Sequence, residues 1–78
     1  MLELFEKLDS LIDFLTRRQN NSVDFFLMCK HKLIMNKEVV DTLDSLIKSY
    51  AITQYANFSK KEEDLLNEII DIARNIKV

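Results

Sequence analysis

The sequence predicts an all-α fold, an antiparallel four-helix bundle with up-down-up-down topology. Three observations predict it: the chain contains neither glycine nor proline, apolar residues recur at helical spacing in four segments, and only short polar stretches separate these segments. Short connections place consecutive amphipathic helices side by side and antiparallel. At 78 residues the chain predicts a single helical domain, residues 1–78, because a second hydrophobic core has no room.

The first predicted helix runs from about Leu2 to Arg18. Its apolar residues recur three and four positions apart, so they share one face of a helix. These stripe residues are Leu4, Leu8, Leu11, Ile12 and Leu15. Arg17 and Arg18 fall in the last predicted turn, where cations complement the helix dipole. The polar stretch 19–22 then breaks the helix.

The second predicted helix begins after Ser22, which is expected to cap it, and ends near Met35, before a weaker break at Asn36 and Lys37. Its inward-facing residues are predicted to be Val23, Phe26, Leu27, Leu33 and Ile34, with Phe25 and Met28 widening the stripe. This content of phenylalanine and methionine, which Met35 increases, exceeds what one narrow stripe can bury. The helix is therefore either central to the core, which we favour, or in part a recognition surface.

The third predicted helix is continuous from about Lys37 to Ala56, and a break at 57–59 precedes the fourth. The stripe of the third helix consists of Val39, Val40, Leu43, Leu46, Ile47 and Tyr50. The fourth opens with Ser59-Lys60-Lys61-Glu62, which fits a capping box, and Phe58 precedes the cap. Its stripe consists of Leu65, Leu66, Ile69, Ile72, Ala73 and Ile76. In an alternative with three helices, the second and third segments fuse through Asn36.

Composition argues against several classes of function. Eleven lysines and arginines against thirteen acids give a net charge of −2, whereas nucleic-acid binding needs a basic surface. The longest apolar run, Phe25 to Cys29, is far shorter than the ~20 residues that span a bilayer, so we expect no membrane-spanning segment. Acids at Glu3 and Glu6 argue against a signal peptide. A single cysteine is typical of a reduced compartment, so we expect a cytoplasmic protein.

The reactive residue types form no catalytic pattern. Cys29 and His31 are two positions apart and point to different sides of a helix. We expect Cys29 to be buried and His31 to lie on the surface beside Lys30 and Lys32. Three pairs of acids at helical spacing lack the histidine motif of di-iron bundles and are expected to be solvated: Asp9/Asp13, Asp41/Asp44 and Glu68/Asp71. We therefore expect a protein that is not an enzyme and binds no metal or cofactor.

Two features concern partners other than small molecules. The second predicted helix carries a basic cluster formed by Lys30, His31, Lys32 and Lys37. Either this cluster meets a partner, which would be anionic lipid headgroups or an acidic protein, or it is simply the polar face of the helix. A domain of this size is marginal on core burial alone. A homodimer that buries additional phenylalanine and tyrosine surface would add to that core.

The region Phe58 to Leu66, with Ile69, Ile72, Ala73 and Arg74, combines a cap, acidic residues, paired apolar residues and a basic end. This pattern resembles the last helix of immunity proteins against pediocin-like (class IIa) bacteriocins, of the enterocin A immunity type. Upstream, Lys32-Leu33 is similar to the end of that family's second helix. Leu43 to Tyr50, with the turn Gln54 to Asn57, is similar to the third helix and its connection. Order and spacing agree over roughly residues 22–76.

The resemblance implies a cytoplasmic antiparallel four-helix protein without catalytic activity. It would protect its host by engaging the complex between a bacteriocin and its membrane receptor, a mannose-type permease. With no catalytic group to carry protection, we expect the exposed faces of the third and fourth helices to carry it. The expected partner-binding residues are Lys48, Tyr55, Lys60 and Lys61.

Two other functions remain open from the sequence. A small helical inhibitor or adaptor of phage or plasmid type, binding a host protein, fits the composition and ranks second. The pattern Glu38-Val39, Leu43-Asp44, Leu46-Ile47 and Tyr50 is similar to the second helix of aspartyl-phosphate phosphatases of sporulation response regulators. That family has Ser-Gln before the Leu-Asp pair, where this sequence has Val40 and Asp41, so the phosphatase ranks third.

Overall fold

The computed structural model describes residues 1–77, and the side chains of residues 1–76. Every regular element in this range is helical, which confirms the all-α prediction for the described residues. Within it five α-helices form instead of the predicted four: α1 Leu2–Arg17, α2 Val23–Ile34, α3 Val39–Ile47, α4 Ile52–Tyr55 and α5 Lys60–Lys77. A 3-10 turn, Ser49–Ala51, joins α3 to α4.

The hydrophobic core is built from the inward faces of the four longer helices. α5 packs against α1 and α3, and α2 also packs against α1 and α3. The four stripe leucines of α1 are completely buried, as predicted, whereas Ile12 is partly buried. Burying one leucine contributes about 1.5–3 kcal/mol, so α1 stabilises the core strongly. The other buried apolar residues of the described chain are Phe26, Cys29, Leu33, Leu43, Leu46, Phe58, Leu66, Ile69, Ile70 and Ala73.

Three helices are followed by a residue with left-handed backbone, a position that glycine usually occupies. Because the chain has no glycine, a glutamine or an asparagine occupies it here. The φ angle is 55° at Gln19, 55° at Asn36 and 56° at Asn57, all in the left-handed region. The amide that follows each of them donates to a carbonyl five positions back, as in the Schellman motif. These hydrogen bonds are Asn20 N to Leu15 O (2.9 Å), Lys37 N to Lys32 O (2.9 Å) and Phe58 N to Thr53 O (3.1 Å). The three predicted breaks are confirmed, and the three-helix alternative is wrong.

The prediction of one continuous third helix is wrong. α3 ends at Ile47, and the 3-10 turn and the short α4 complete the segment. The Ser49 hydroxyl donates to the Leu46 carbonyl (2.6 Å) and the Thr53 hydroxyl to the Tyr50 carbonyl (2.8 Å). Such local bonds compete with the α-helical ladder. Ser49 and Thr53 are buried here, while Tyr50, a predicted stripe residue, is exposed.

The inward face of α2 is narrower than its sequence predicts. The core interpretation is right for Phe26, which is buried and meets the partly buried Phe25 edge-on with ring centres 5.1 Å apart. It is wrong for the methionines. α2 packs chiefly against α1 and α3, and these two neighbours cover only one side of it. The residues predicted to be buried that the structure places at the surface are Leu27, Met28, Ile34, Met35, Val40 and Tyr50.

The two predicted helix caps have different outcomes. Ser22 precedes α2 as predicted, but its hydroxyl makes no capping bond and is buried without a partner in the described chain. Asn20 Oδ1 instead accepts the Ser22 amide at 2.8 Å. The capping box of α5 is confirmed in both directions. Ser59 Oγ accepts the Glu62 amide (3.2 Å), and Glu62 Oε1 accepts the Ser59 amide (2.7 Å).

Gln19→Gly is expected to raise the free energy of unfolding by about 0.5–1 kcal/mol, because glycine adopts a positive φ without the steric cost of a Cβ. The matched control is Gln54→Gly inside α4, where φ is helical and the same change should lower the free energy of unfolding. Urea denaturation followed by far-UV circular dichroism measures both. A loss of stability at both positions would contradict the strain at Gln19.

Ser59→Ala is expected to lower the free energy of unfolding by about 0.5–2 kcal/mol, because it removes the acceptor of the Glu62 amide. Ser45→Ala is the control: Ser45 is exposed within α3, and its hydroxyl bonds only to the Asp41 carbonyl (3.0 Å). The control should change the denaturation midpoint little. Equal midpoints for the Ser59 variant and the unmodified chain would show that the capping bond is not stabilising.

Candidate functional site

The four residues predicted to bind a partner all lie at the surface. Lys60 and Lys61 occupy the first turn of α5, and Tyr55 ends α4 with 89% of its surface exposed. Lys48 directly follows α3, and its Nζ pairs with Asp44 Oδ2 at 2.9 Å. Lys60 and Lys61 are therefore neighbours in the chain, and Tyr55 lies at the end of the preceding helix. Lys48 instead forms an ion pair with an acid of α3.

The two lysines of α5 have different contacts. Lys60 Nζ lies 3.0 Å from Asp64 Oδ1, and this hydrogen bond together with the Asp64 charge raises the pKa of Lys60. Lys61 Nζ lies 5.1 Å from the centre of the Phe14 ring, a cation–π contact between α5 and α1. Lys60 is thus paired within its own helix, whereas the Lys61 ammonium group contacts an aromatic ring of α1.

An open cleft of about 520 Å³ lies where the α1–α2 connection meets α4. Residues 18–22 and Phe25 line it from one side, and Ile52, Tyr55 and Ala56 line it from the other. A volume of this size is in the range of ligand-binding clefts. The cleft thus places Tyr55, one of the four predicted residues, next to a group of amide side chains.

Arg18 forms hydrogen bonds that connect the two sides of the cleft. Its Nε donates to Glu62 Oε2 (2.8 Å) and its Nη2 to Glu62 Oε1 (2.9 Å), a bidentate pair. Nη2 also donates to the carbonyl oxygens of Ala56 (3.2 Å) and Asn57 (3.3 Å). Asn20 Nδ2 donates to the Ala56 carbonyl at 2.8 Å. The α1–α2 connection is thereby bound to the connection between α4 and α5.

The Glu62 carboxylate is buried, with only 3% of its side chain exposed. Burial alone raises the pKa of a carboxyl. The hydrogen bonds from Arg18 and from the Ser59 backbone amide, with the Arg18 charge, outweigh this effect and hold the pKa of Glu62 below its ordinary value. Glu62 is therefore ionised in the folded protein, and its carboxylate oxygens accept hydrogen bonds from Arg18.

The cleft is close to neutral. Arg18 is the one charged residue among the described residues that line it, and Glu62 neutralises it. The first amides of α2 are occupied as well, since those of Val23, Asp24 and Phe25 donate to the carbonyl oxygens of residues 20–22. The cleft therefore lacks the free positive groups that a phosphate needs. Its amides, phenol and apolar side chains suit a neutral polypeptide segment.

Cys29 and His31 lie as predicted, the first buried and the second exposed. Burial raises the pKa of the Cys29 thiol to about 11, against a smaller opposing effect of the Lys32 charge. At neutral pH the thiol is protonated, whereas a nucleophilic cysteine must be a thiolate. The folded chain therefore keeps Cys29 in the less reactive thiol form.

Each of the three predicted acid pairs has a member in an ion pair with a lysine or arginine. These ion pairs are Asp9 with Lys30, Asp13 with Arg17 (3.0 Å), Asp44 with Lys48 (2.9 Å) and Glu68 with Lys7 (3.1 Å). Within the described residues no three or more histidine, cysteine or acidic side chains are grouped so that they could hold a metal ion.

The sequence did not predict the cleft or the Arg18–Glu62 pair. Periodicity placed Arg18 at a helix end, where its charge was expected to serve the helix dipole. The two residues are 44 positions apart, beyond any helical spacing. The one local signal was Glu62 itself, because a capping-box glutamate is held near a helix start and is available to a cation there.

Comparison with protein-family models, with curated proteins and with solved structures found no match to this chain. None of the described helices is long and apolar enough to cross a membrane.

Glu62→Gln is expected to lower the free energy of unfolding by about 1–3 kcal/mol at pH 7, because Arg18 loses its charged partner. The folded-state pKa of Glu62 lies below its unfolded value, so the pair stabilises the protein above the unfolded pKa and loses that effect as the pH falls through the folded pKa. Denaturation of the unmodified chain between about pH 6 and pH 3 should therefore show a fall in stability that is smaller in Glu62→Gln.

The control for this experiment is Glu6→Gln, at an exposed position of α1. It should leave the free energy of unfolding at pH 7 nearly unchanged. If Glu62→Gln and the unmodified chain lose stability in parallel as the pH falls, the Arg18–Glu62 pair is not the acid-sensitive contact.

Proposed function

We propose that this chain is a non-catalytic, partner-binding protein that acts as a bacteriocin immunity protein. From the cytoplasm it engages the complex of a pediocin-like bacteriocin with its mannose-type permease. The observation that carries the proposal is the neutral cleft with the exposed Tyr55, at the end of the molecule where Lys60 and Lys61 begin α5. The resemblance of residues 22–76 to the immunity family supports the choice of partner.

The chemistry of this end fits a protein partner in two ways. An exposed tyrosine beside amide side chains offers stacking and hydrogen bonds to a polypeptide at little cost in conformational entropy. The ammonium group of Lys61, which contacts the Phe14 ring, adds positive charge in the first turn of α5, and this charge favours an acidic segment of the partner. Arg18 and Asn20 hold the cleft in shape, so little ordering is needed on binding.

We also propose that α1, α2, α3 and α5 form an antiparallel bundle with up-down-up-down topology. Along the contact of α1 with α5, Lys7 pairs with Glu68 and Arg18 with Glu62, so positions rise in one helix as they fall in the other. The Asp9–Lys30 pair and the short α1–α2 connection support an α2 that also runs antiparallel to α1. Nuclear Overhauser contacts between these pairs in solution test the arrangement.

A helical inhibitor or adaptor of a host protein is the second candidate. The observation that favours it is the apolar outer side of α2, which includes Leu27 and Ile34. A pull-down from the native host distinguishes the two, because a permease with a bound peptide supports immunity and a cytosolic enzyme supports an inhibitor.

Charge reversal by Lys60→Glu and Lys61→Glu together is expected to weaken protection of a sensitive Gram-positive strain against a pediocin-like bacteriocin. The reversal replaces attraction for an acidic partner by repulsion. It should leave the fold intact, because exposed charges contribute little to stability and acids are favourable in the first turn of a helix. Growth inhibition by a panel of such bacteriocins measures protection, with soluble expression confirmed for each variant.

The matched control is Arg74→Glu, a reversal at an exposed position of the same helix. It lies about 20 Å of helix away from Lys61 and should keep full protection. Tyr55→Ala should weaken protection as the lysine reversals do. Absence of protection against every bacteriocin of the panel would move the assignment to the inhibitor class, and protection that survives all reversals would discard this surface.

A further inference from the structure

The outer side of α2 carries an apolar stripe that nothing else in the described chain covers. Leu27, Met28, Ile34 and Met35 are 46%, 47%, 59% and 54% exposed, and His31 between them is exposed too. Leu27 and Ile34 are seven residues apart, as are Met28 and Met35, and this spacing keeps them on one side of the helix. Single exposed leucines are ordinary, whereas a heptad-spaced stripe is typical of a helix that packs against another helix.

The lysines beside this stripe are neutralised within the chain. Lys30 pairs with Asp9 of α1, and Lys32 pairs with Glu38 at 3.4 Å. A helix that binds an anionic membrane uses its lysines for the headgroups. Because these two are already paired, the stripe favours a protein surface. It shares no residue with the cleft, so it is available while the cleft is occupied.

We propose that the stripe is a homodimer interface, in which α2 packs antiparallel against α2 of a second copy. The two-fold axis passes between Lys30 and His31 along the helix, so Leu27 of each copy meets the partner's Ile34. The stripe exposes on the order of 400 Å² per copy, and with its flanking side chains the dimer buries about 1,000 Å² in total, the lower limit for specific interfaces. The dimer is therefore weak and depends on protein concentration.

Two charges support a second copy as the occupant and set its direction. Asp24 lies in the first turn of α2 and Lys37 just after its last turn, and neither has a partner in the described chain. They are 13 positions apart, about 20 Å at the rise of a helix, so they do not pair within one copy. Antiparallel packing brings Asp24 of each copy to the partner's Lys37 and forms two equivalent ion pairs, whereas parallel packing places like charges together.

Sedimentation equilibrium of the full chain between about 10 µM and 1 mM tests the proposal, since weak interfaces dissociate in this range. The unmodified chain should show a reversible monomer–dimer equilibrium. Leu27→Asp should raise the dissociation constant at least about tenfold, because it places a charge against the partner's Ile34 within the apolar interface. The matched control, Leu2→Asp, changes an exposed leucine of α1 and should stay within about twofold of the unmodified chain.

A charge swap tests the pairing between copies. Asp24→Lys and Lys37→Asp should each weaken the dimer about three- to tenfold. The double variant should return the dissociation constant to within about twofold of the unmodified chain, because both intermolecular pairs are then restored with reversed sign. Circular dichroism checks that each monomer is folded, and Leu27→Gln replaces Leu27→Asp if the aspartate unfolds it.

Four results would overturn the proposal. These are a monomer at every concentration, equal weakening by Leu2→Asp and Leu27→Asp, absence of rescue in the charge swap, and binding of the monomer to phosphatidylglycerol vesicles that Leu27→Asp abolishes. The last result would assign the stripe to a lipid surface.

Discussion

The carboxylate of Glu62 accepts hydrogen bonds from Arg18, at the end of α1, and from Ser59, at the start of its own helix. Arg18 in turn binds two carbonyl oxygens that follow α4. Three helix ends, those of α1 and α4 and the start of α5, are positioned relative to one another through these few bonds. The cleft, the exposed Tyr55 and the first turn of α5 all depend on them, because each is formed by chain segments that Arg18 or Glu62 contacts.

Taking a charge out of water offsets much of what an ion pair contributes to stability, and in this pair Glu62 is buried while 40% of the Arg18 side chain is exposed. We expect the pair to act instead on the register between α1 and α5. The stripe of α1 repeats a leucine at almost every turn, so a shift of one turn along α5 would still bury leucines. A shift of one turn would, however, leave the Glu62 carboxylate buried without its arginine, and that costs several kcal/mol. The pair thus selects one register among similar ones.

Local patterns predicted the parts of the fold that depend on local physics. The α1 stripe, the capping box at Ser59 and the polar breaks at Gln19, Asn36 and Asn57 needed no tertiary information. Periodicity tells which residues share a face, but not how many neighbours cover it, so the outer side of α2 was assigned to the core. The break after Ile47 was missed because a serine or threonine hydroxyl can bond to a nearby carbonyl or leave the helix intact, and the neighbouring packing decides. The cleft joins residues far apart in sequence and had no local pattern.

The single thiol of the molecule lies in the core, on the side of α2 opposite the apolar stripe. Thiol chemistry proceeds through the thiolate, and the raised pKa of Cys29 suppresses it in the folded chain. Alkylating reagents and oxidants therefore react with the Cys29 thiol mainly when α2 leaves the core. The rate at which Cys29 is modified therefore reports how often α2 leaves the core. A disulfide between two chains would likewise be evidence of unfolding rather than of assembly of folded copies.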